Sequence, residues 1–217
     1  MDDYVVTTPI DPNRVWTLKY YKRGIESLNP LPKKVGIVTS EEVFDKYFSN
    51  NNLYEFVHPH PSESLYVLDR IAKGRELLKR WFIREREEDW QLWVDSDIEL
   101  EENAVRKIIN TVNKENALGY RNGYRGREKR RNWHGAGCLL VNRKIADLAK
   151  FFRGKGIDEE GNDFNVSEDL SYIGLLRYLG KTGMEDKFPS YDRLIIAGDA
   201  AKVKHYIEKG EKDVPWS

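Results

Sequence analysis

The chain has 217 residues, of which 40% are hydrophobic and 12% aromatic, which excludes a disordered chain and allows one domain with a buried core. Its 36 Lys and Arg residues balance 36 Asp and Glu residues, so the basic surplus typical of nucleic-acid-binding proteins is missing and we expect no nucleic-acid partner. A single cysteine, Cys138, excludes an intrachain disulfide and a cysteine-rich zinc site.

The first half of the chain alternates strand and helix patterns. A β-branched run at Tyr4–Thr8 predicts a buried strand, and Pro9 ends it. A helical pattern follows from Asn13 to Leu28, and Lys34–Thr39 predicts a second strand. The alternation continues with a helix capped by Ser40, a strand at Leu53–Val57, a long helix capped by Ser62, a strand at Trp90–Val94 and a helix at Glu101–Lys114. This order predicts an α/β fold with right-handed crossovers and a mostly parallel central sheet flanked by helices.

The second half is less regular. The predicted elements are a charged loop at Arg121–Arg131, a strand at Gly135–Val141, a helix at Arg143–Phe152, a polar loop at Gly154–Asn165, a helix capped by Ser167, a strand at Leu194–Ala197 and a polar tail. The charged loop has three open interpretations: a lid over a bound donor, a solvated loop, or a site for an anionic acceptor.

The cellular setting is predicted from what the sequence lacks. A single cysteine favours a reducing, cytoplasmic compartment. Asp2 and Asp3 stand where a signal peptide has basic and apolar residues, so we expect none. No apolar run approaches the roughly 20 residues of a membrane span, so we expect no transmembrane segment.

An acidic pair follows the fourth predicted strand. Asp95 and Asp97 are two residues apart, and on an extended backbone both side chains point to one side. Two such carboxylates can share a hard cation whose shell is completed by water and phosphate. Chance alone supplies about one such pair in a chain of this composition, and a solvated strand end is the alternative interpretation. The position after a core strand supports metal binding, because open α/β sheets bind ligands at the carboxyl ends of their strands, and spacing and placement alone leave both interpretations open.

Several short segments resemble, in family order, the motifs of the GT-A class of glycosyltransferases, and they are most similar to its inverting, family 2-like members. The segments are Thr7-Thr8-Pro9 after the first strand, Ala72-Lys73-Gly74-Arg75, Leu92-Trp93-Val94-Asp95-Ser96-Asp97, Trp133-His134-Gly135-Ala136-Gly137-Cys138, and Ser167-Glu168-Asp169. The resemblance extends over about residues 4 to 206. It implies a single GT-A (Rossmann-like) domain over 1–217, with a nucleotide-binding half at 1–100 and an acceptor and catalytic half at 101–217.

The resemblance also implies a metal site with Mn²⁺ or Mg²⁺ as cofactor. Asp97 is implied to bind the metal directly, and Asp95 to bind it through water or to hold the ribose. His205 matches the late histidine that often completes this site in the family. From residue chemistry alone, a histidine in a polar tail is usually solvated, although imidazole is an acceptable ligand for manganese.

The donor implied by the resemblance is a UDP- or GDP-linked sugar. Its implied binding residues are Thr7, Thr8, Pro9, Arg14, Arg75, Asp95, Ser96, Gly135 and Gly137. Arg14 and Arg75 are also compatible with ordinary surface positions on helices. Many inverting members carry an acid at the end of the second strand that recognises uracil, and this chain has Thr39-Ser40 there. The identity of the base therefore stays open.

The resemblance assigns catalysis to the predicted helix behind Ser167. Asp169 is implied to deprotonate the acceptor hydroxyl and Glu168 to support it, with inversion at the anomeric carbon. Trp133 and His134 are implied to contact the acceptor, which is a hydroxyl of a sugar, lipid or protein. Without the resemblance, Glu168 and Asp169 are ordinary acidic residues in the first turn of a helix.

Three other functions remain as alternatives. A nucleotidyltransferase also uses a metal-bound acidic pair, but it usually carries a glycine-rich basic loop after the first strand, and Thr7–Pro12 is not such a loop. A non-catalytic nucleotide-binding protein on a degenerate GT-A scaffold is the second. A phosphatase with an Asp-x-Asp nucleophile is the third, but its acids are expected after the first strand rather than the fourth.

Overall fold

The fold is described from a computed structural model of the chain. The structure describes residues 3–61, 66–125, 132–133, 137–152, 154–157, 163–166, 168–182, 194–207 and 209.

The first half of the chain alternates strands and helices. In chain order it contains β1 (Tyr4–Pro9), a 3-10 segment (Pro12–Thr17), α1 (Leu18–Glu26), β2 (Val35–Thr39), α2 (Glu41–Tyr47), β3 (Tyr54–Pro59), α3 (Val67–Glu85), β4 (Trp90–Val94), β5 (Ile98–Leu100) and α4 (Ala104–Lys114). Ser40 accepts a hydrogen bond from the backbone N–H of Val43 and caps α2, as the sequence predicts.

The second half has shorter elements. They are β6 (Gly119–Asn122), β7 (Tyr124–Arg125), β8 (Asn132–Trp133), β9 (Cys138–Asn142), α5 (Arg143–Ala146), β10 (Gly154–Ile157), β11 (Asp163–Val166), α6 (Glu168–Thr182), β12 (Ile196–Gly198) and β13 (Val203–His205).

A seven-stranded sheet forms the centre of the fold, in the order β12-β6-β9-β4-β1-β2-β3. Strands β3, β2, β1 and β4 are parallel, and β9 runs antiparallel to both of its neighbours, β4 and β6. The sheet takes strands from both halves of the chain. The prediction of an α/β fold with a mostly parallel central sheet is confirmed.

Helices cover both faces of the sheet because side chains alternate along each strand. Leu92 and Val94 of β4 pack into one core with α1 and α4, whereas Trp93 packs into a second core with α3 and α6. The acidic pair therefore follows a strand, β4, that is packed between two layers of helices. Within the described residues, no helix combines the length and apolar character that a membrane span requires.

One predicted helix is shorter in the structure because side chains bond to its backbone groups. The helix predicted at Arg143–Phe152 ends at Ala146. Two side chains of α3 hold the chain beyond it: Lys79 donates to the carbonyl of Ala149 (2.7 Å), and Glu76 accepts from the N–H of Phe151 (2.7 Å). These bonds replace the intrahelical bonds that would have extended α5.

Other differences come from strand pairing between distant residues. The predicted loop at Gly154–Asn165 contains β10 and β11, which form an antiparallel pair. The predicted loop at Arg121–Arg131 begins inside β6 and contains β7. The sequence predicted neither β5 nor β13, and β13 lies in the predicted polar tail. The two strands pair antiparallel, with His205 opposite Ile98. Strands of two to four residues carry too little periodicity to be recognised without their partners.

Gly24 tests how closely α1 must approach β5. A Cβ at this position would lie 2.6 Å from the backbone nitrogen of Leu100 and 3.1 Å from the Cα of Glu99. We expect Gly24→Ala to force α1 away from β5 and lower the free energy of unfolding by about 1–3 kcal/mol, measured by urea denaturation. The matched control is Gly174→Ala on α6, where a Cβ meets nothing within 4 Å and helix propensity predicts a gain of about 0.5–1 kcal/mol. Equal effects of the two substitutions would contradict the close approach.

Candidate functional site

The carboxylate of Asp97 is the meeting point of three distant parts of the chain. Its side chain is 10% exposed, and its Oδ2 accepts a hydrogen bond from Nη1 of Arg14 at 2.5 Å. The Nε2 of His205 lies 3.5 Å from the same oxygen. Arg14 comes from the 3-10 segment after β1, Asp97 precedes β5, and His205 ends β13.

The charge of Asp97 is stabilised by these neighbours. Burial by itself raises the pKa of the carboxyl group, but the hydrogen bond and charge of His205, followed by the charge of Arg14, lower it by more. The net effect is a pKa below the usual value of an aspartate. The carboxylate is therefore ionised at neutral pH, and Arg14 and His205 compensate its charge.

Asp95 faces a different partner from Asp97. Its Oδ1 accepts a hydrogen bond from Nη2 of Arg75 at 2.6 Å. The expectation that both carboxylates point to one side required an extended backbone, but the chain turns here, with the N–H of Ile98 bonded to the carbonyl of Asp95. The acidic pair is consequently divided, because Asp95 bonds to α3 whereas Asp97 bonds to the segment before α1.

Arg75 lies inside the protein rather than on the surface of its helix. Arg75 is 2% exposed, and its guanidinium carbon lies 5.7 Å from the ring centres of both Trp93 and Phe151. An arginine enclosed by two aromatic rings keeps a fixed orientation. Arg75 therefore holds Asp95 in place from beneath the site.

A buried ionic cluster fixes the strand that carries His205. The side chain of Glu99 is 7% exposed, and its carboxylate accepts hydrogen bonds from Nε (2.9 Å) and Nη2 (2.6 Å) of Arg23. The hydroxyl of Tyr206 donates to the same carboxylate at 2.6 Å, and Tyr20 stacks on Tyr206 with ring centres 3.8 Å apart. The N–H of Tyr206 also bonds to the carbonyl of Asp97 at 2.8 Å. These contacts place His205 beside Asp97.

Thr7 and Thr8, implied to contact the nucleotide, lie in the core of the protein. Both are fully buried. The Oγ1 of Thr8 shares a hydrogen bond with the hydroxyl of Tyr21 (2.6 Å), and the Oγ1 of Thr7 accepts from Gln91 (3.1 Å). Their side chains do not reach a surface cavity. Pro9, at the end of β1, is partly buried.

The described end of the glycine-rich segment, Gly137 and Cys138, lies next to the acidic pair. The carbonyl of Gly137 accepts the N–H of Asp95 at 3.0 Å, and Ser96 is buried beside it. Burial, followed by the negative charge of Asp95, raises the pKa of the Cys138 thiol to about 12, so this cysteine is a neutral core residue.

The predicted catalytic and acceptor residues are described only in part. Glu168 and Asp169 are the first residues of α6, and Trp133 belongs to β8, but their side chains lie outside the described part of the structure. His134, Gly135 and the predicted cap Ser167 lie outside the described residues altogether.

A cavity of about 360 Å³ lies at the carboxyl ends of β1, β2 and β3, and the sequence interpretation did not include it. Its polar lining consists of Asp11, Asn13, Ser40, Glu41, His60 and Arg70. All but Arg70 follow directly on a strand end. The rule that ligands bind outside the carboxyl ends of parallel strands is the signal that would have found them.

The spacing of the donor atoms of Asp97 and His205 is compatible with one divalent cation. Two ligands at about 2.1 Å from one ion are about 3.0 Å apart at right angles and about 3.4 Å apart at the tetrahedral angle. The 3.5 Å between Asp97 and His205 is close to these values. Within the described residues, no group of three or more His, Cys, Asp or Glu side chains could hold a metal ion. Asp97 and His205 are thus two candidate ligands among the described residues. Asp95 bonds to Arg75, and its predicted role in binding the metal, directly or through water, stays a prediction.

Comparisons with known proteins yield structural neighbours only. No protein-family model and no curated protein matches this chain in sequence. The crystal structure of A197 from STIV aligns with 95% of this chain and 87% of its own, at 13% identity and a TM-score of 0.52. A candidate glucose-1-phosphate thymidylyltransferase from Bacillus anthracis, solved in complex with a sucrose, aligns with 94% of this chain and 89% of its own, at 9% identity and a TM-score of 0.50.

A third neighbour is less similar. The apo form of the glycosyltransferase GlyE from Streptococcus pneumoniae TIGR4 aligns with 66% of this chain and 34% of its own, at 16% identity and a TM-score of 0.39, which is too low to support an argument. At these identities the first two neighbours bear on the fold alone. Together with the sheet topology, they confirm the predicted GT-A-like α/β fold class.

Tyr206→Phe tests the cluster that holds β13. The substitution removes one of the donors to the buried Glu99 carboxylate, and a lost hydrogen bond to a charged group costs about 1.5–3 kcal/mol. We expect a decrease of this size in the free energy of unfolding, measured by chemical denaturation. Tyr47→Phe is the control, because the Tyr47 hydroxyl makes no hydrogen bond to a residue in the described ranges. An unchanged stability of Tyr206→Phe would show that Arg23 alone satisfies Glu99.

Proposed function

We propose that the protein is a glycosyltransferase that moves a sugar from a UDP- or GDP-linked donor to an acceptor hydroxyl, with Mn²⁺ or Mg²⁺ bound by Asp97 and His205. The observation that carries this proposal is the 3.5 Å distance between the Asp97 carboxylate and the His205 imidazole, beside the acidic turn that follows the central strand β4. A divalent ion there supplies charge neutralisation for a leaving diphosphate.

Arg14 supports a diphosphate position next to this pair. Its side chain is 36% exposed and bonds to Asp97, and it follows Asn13, which lines the cavity at the strand ends. Arg14 thus bonds to the acidic turn and is the neighbour in sequence of a cavity residue. On nucleotide binding, Arg14 would exchange Asp97 for a phosphate oxygen, and the carboxylate would then be able to hold the metal. The nucleoside contacts come from residues after β1 rather than from the buried Thr7 and Thr8.

The packing of α6 supports Asp169 as the catalytic base. Tyr172, one helical turn after Asp169, stacks on Phe151 with ring centres 4.0 Å apart, and Phe151 contacts the ring of Trp93 at 5.0 Å. Trp93 is two residues before Asp95. This aromatic row connects the start of α6 to the acidic turn. In the proposed reaction, Asp169 accepts the proton of the attacking hydroxyl with Glu168 in support, Trp133 and His134 are the acceptor residues, and inversion at the anomeric carbon is the outcome.

A nucleotidyltransferase is the second candidate function. The observation in its favour is the structural neighbour from Bacillus anthracis, which is described as a candidate glucose-1-phosphate thymidylyltransferase. The two reactions release different products: a glycosyltransferase releases a nucleoside diphosphate from a nucleotide sugar, whereas a nucleotidyltransferase releases pyrophosphate from a nucleoside triphosphate. Product analysis with each class of donor separates them.

Metal dependence is the first test of the proposed function. In calorimetric titrations with UDP and GDP, we expect binding in Mn²⁺ or Mg²⁺ that weakens by about tenfold or more when EDTA is present, because the diphosphate loses its bridging cation. Asp97→Asn should remove the metal effect, whereas Asp45→Asn, an exposed aspartate of α2, should retain it. Equal affinity with and without EDTA in the unsubstituted protein would overturn the metal assignment.

The second test separates binding from turnover. We expect Asp169→Asn to bind metal and nucleotide with unchanged affinity and to lose turnover by about 10²–10⁴-fold, the usual contribution of a general base. Asp45→Asn again serves as the control and should turn over normally. If Asp169→Asn retained full activity, the base assignment would be wrong, whatever the result of the metal titration.

A further inference from the structure

The cavity at the ends of β1, β2 and β3 contains charged groups of opposite sign. Arg70 contributes a guanidinium from α3, and Asp11 and Glu41 contribute carboxylates from the segments after β1 and β2. Pro12 and Pro61 add apolar walls. At about 360 Å³, the cavity has the size of a small-molecule site. An aromatic base with polar edges and apolar faces matches this lining.

Arg70 lines the cavity and carries an unsatisfied donor. Among the described residues, its Nε has no hydrogen-bond partner and is buried from solvent. A buried N–H without an acceptor costs stability, so such a group is expected to have an acceptor in the functional state. Arginine offers two parallel N–H groups and matches two adjacent acceptors on a ligand.

The two carboxylates differ in their availability. The Oδ1 of Asp11 accepts both the N–H (2.9 Å) and the Nδ2 (3.1 Å) of Asn13, and it caps the 3-10 segment. Glu41, the first residue of α2, is exposed and makes no hydrogen bond or ion pair with any residue in the described ranges. Glu41 is therefore the carboxylate that is available to a ligand.

Guanine is the nucleobase that matches an arginine and a carboxylate together. It carries adjacent acceptors, O6 and N7, which suit a bidentate arginine, and adjacent donors, N1–H and the 2-amino group, which suit the two oxygens of a carboxylate. Uracil and thymine have one N–H between two carbonyls. Adenine and cytosine place a ring acceptor beside the amino group, which repels a carboxylate.

We propose that this cavity selects guanine, with Arg70 donating to O6 and N7 and Glu41 accepting from N1–H and the 2-amino group. The donor is then a GDP-linked sugar. The inference rests on the proposed nucleotide-sugar function and identifies its base. It also accounts for Thr39-Ser40 in place of an acid at the end of β2, because the carboxylate is supplied one residue later.

The first test compares nucleotides on the unsubstituted protein. In calorimetry with Mn²⁺, GDP should bind about tenfold or more tightly than UDP, ADP or CDP, as expected for one good bidentate pair. Inosine diphosphate, which lacks the 2-amino group, should bind less tightly than GDP. Binding of UDP as tight as that of GDP would overturn the guanine assignment and leave the proposed function standing. No binding of any nucleoside diphosphate would overturn both.

The second test assigns the two residues. Glu41→Gln should weaken GDP by about tenfold, leave UDP unchanged and reduce the difference between GDP and inosine diphosphate. Arg70→Met should weaken GDP similarly and reduce the preference for GDP over 7-deaza-GDP, which lacks N7. The matched controls are Glu42→Gln on α2 and Arg84→Met on α3, both exposed and expected to change nothing. A GDP preference that survives in Glu41→Gln, with thermal unfolding confirming a folded variant, would overturn this cavity as the base site.

Discussion

The buried carboxylate of Asp97 connects the segment after β1 with the strand β13 near the other end of the chain. Removing such a charge from water is costly unless it is paired and hydrogen-bonded, and its partners, Arg14 and His205, come from opposite ends of the sequence. The segment after β1 and the strand β13 must therefore both reach the turn between β4 and β5. The candidate site exists only where these three segments meet, and the β13–β5 pairing and the cluster of Arg23, Glu99 and Tyr206 keep the last of them in place.

The acidic turn is held from both faces of the sheet. Arg75 reaches Asp95 from α3, whereas Arg14 reaches Asp97 from the segment that leads into α1, and these helices pack in different cores. An extended Asp-x-Asp would present both carboxylates to one cation. The turn instead separates them, so that Asp97 pairs with Arg14 and His205, whereas Asp95 is held by the buried Arg75.

Much of the fold follows from local patterns, because the parallel strands β1, β2, β3 and β4 are each long enough to show their own apolar run. Most of the site does not. Thr7 and Thr8 match a family motif by position, but their burial and their bonds to Gln91 and Tyr21 exclude them from the surface. Sequence alone offers no means of distinguishing a threonine that faces a ligand from one that faces a neighbouring core residue.

The sequence by itself determined the α/β alternation and the position of Asp95 and Asp97 after a core strand, because both depend on residue type and short-range order along the chain. The candidacy of Arg14, Arg75 and His205 came from the resemblance to GT-A glycosyltransferases. The tertiary structure alone decided that Arg14 and His205 share Asp97, that Arg75 is buried beneath Asp95, and that Glu41 and Arg70 line one cavity. These contacts join residues up to 108 positions apart, from Asp97 to His205. They arise because strand pairing and helix packing bring together segments that do not interact within their own local sequence.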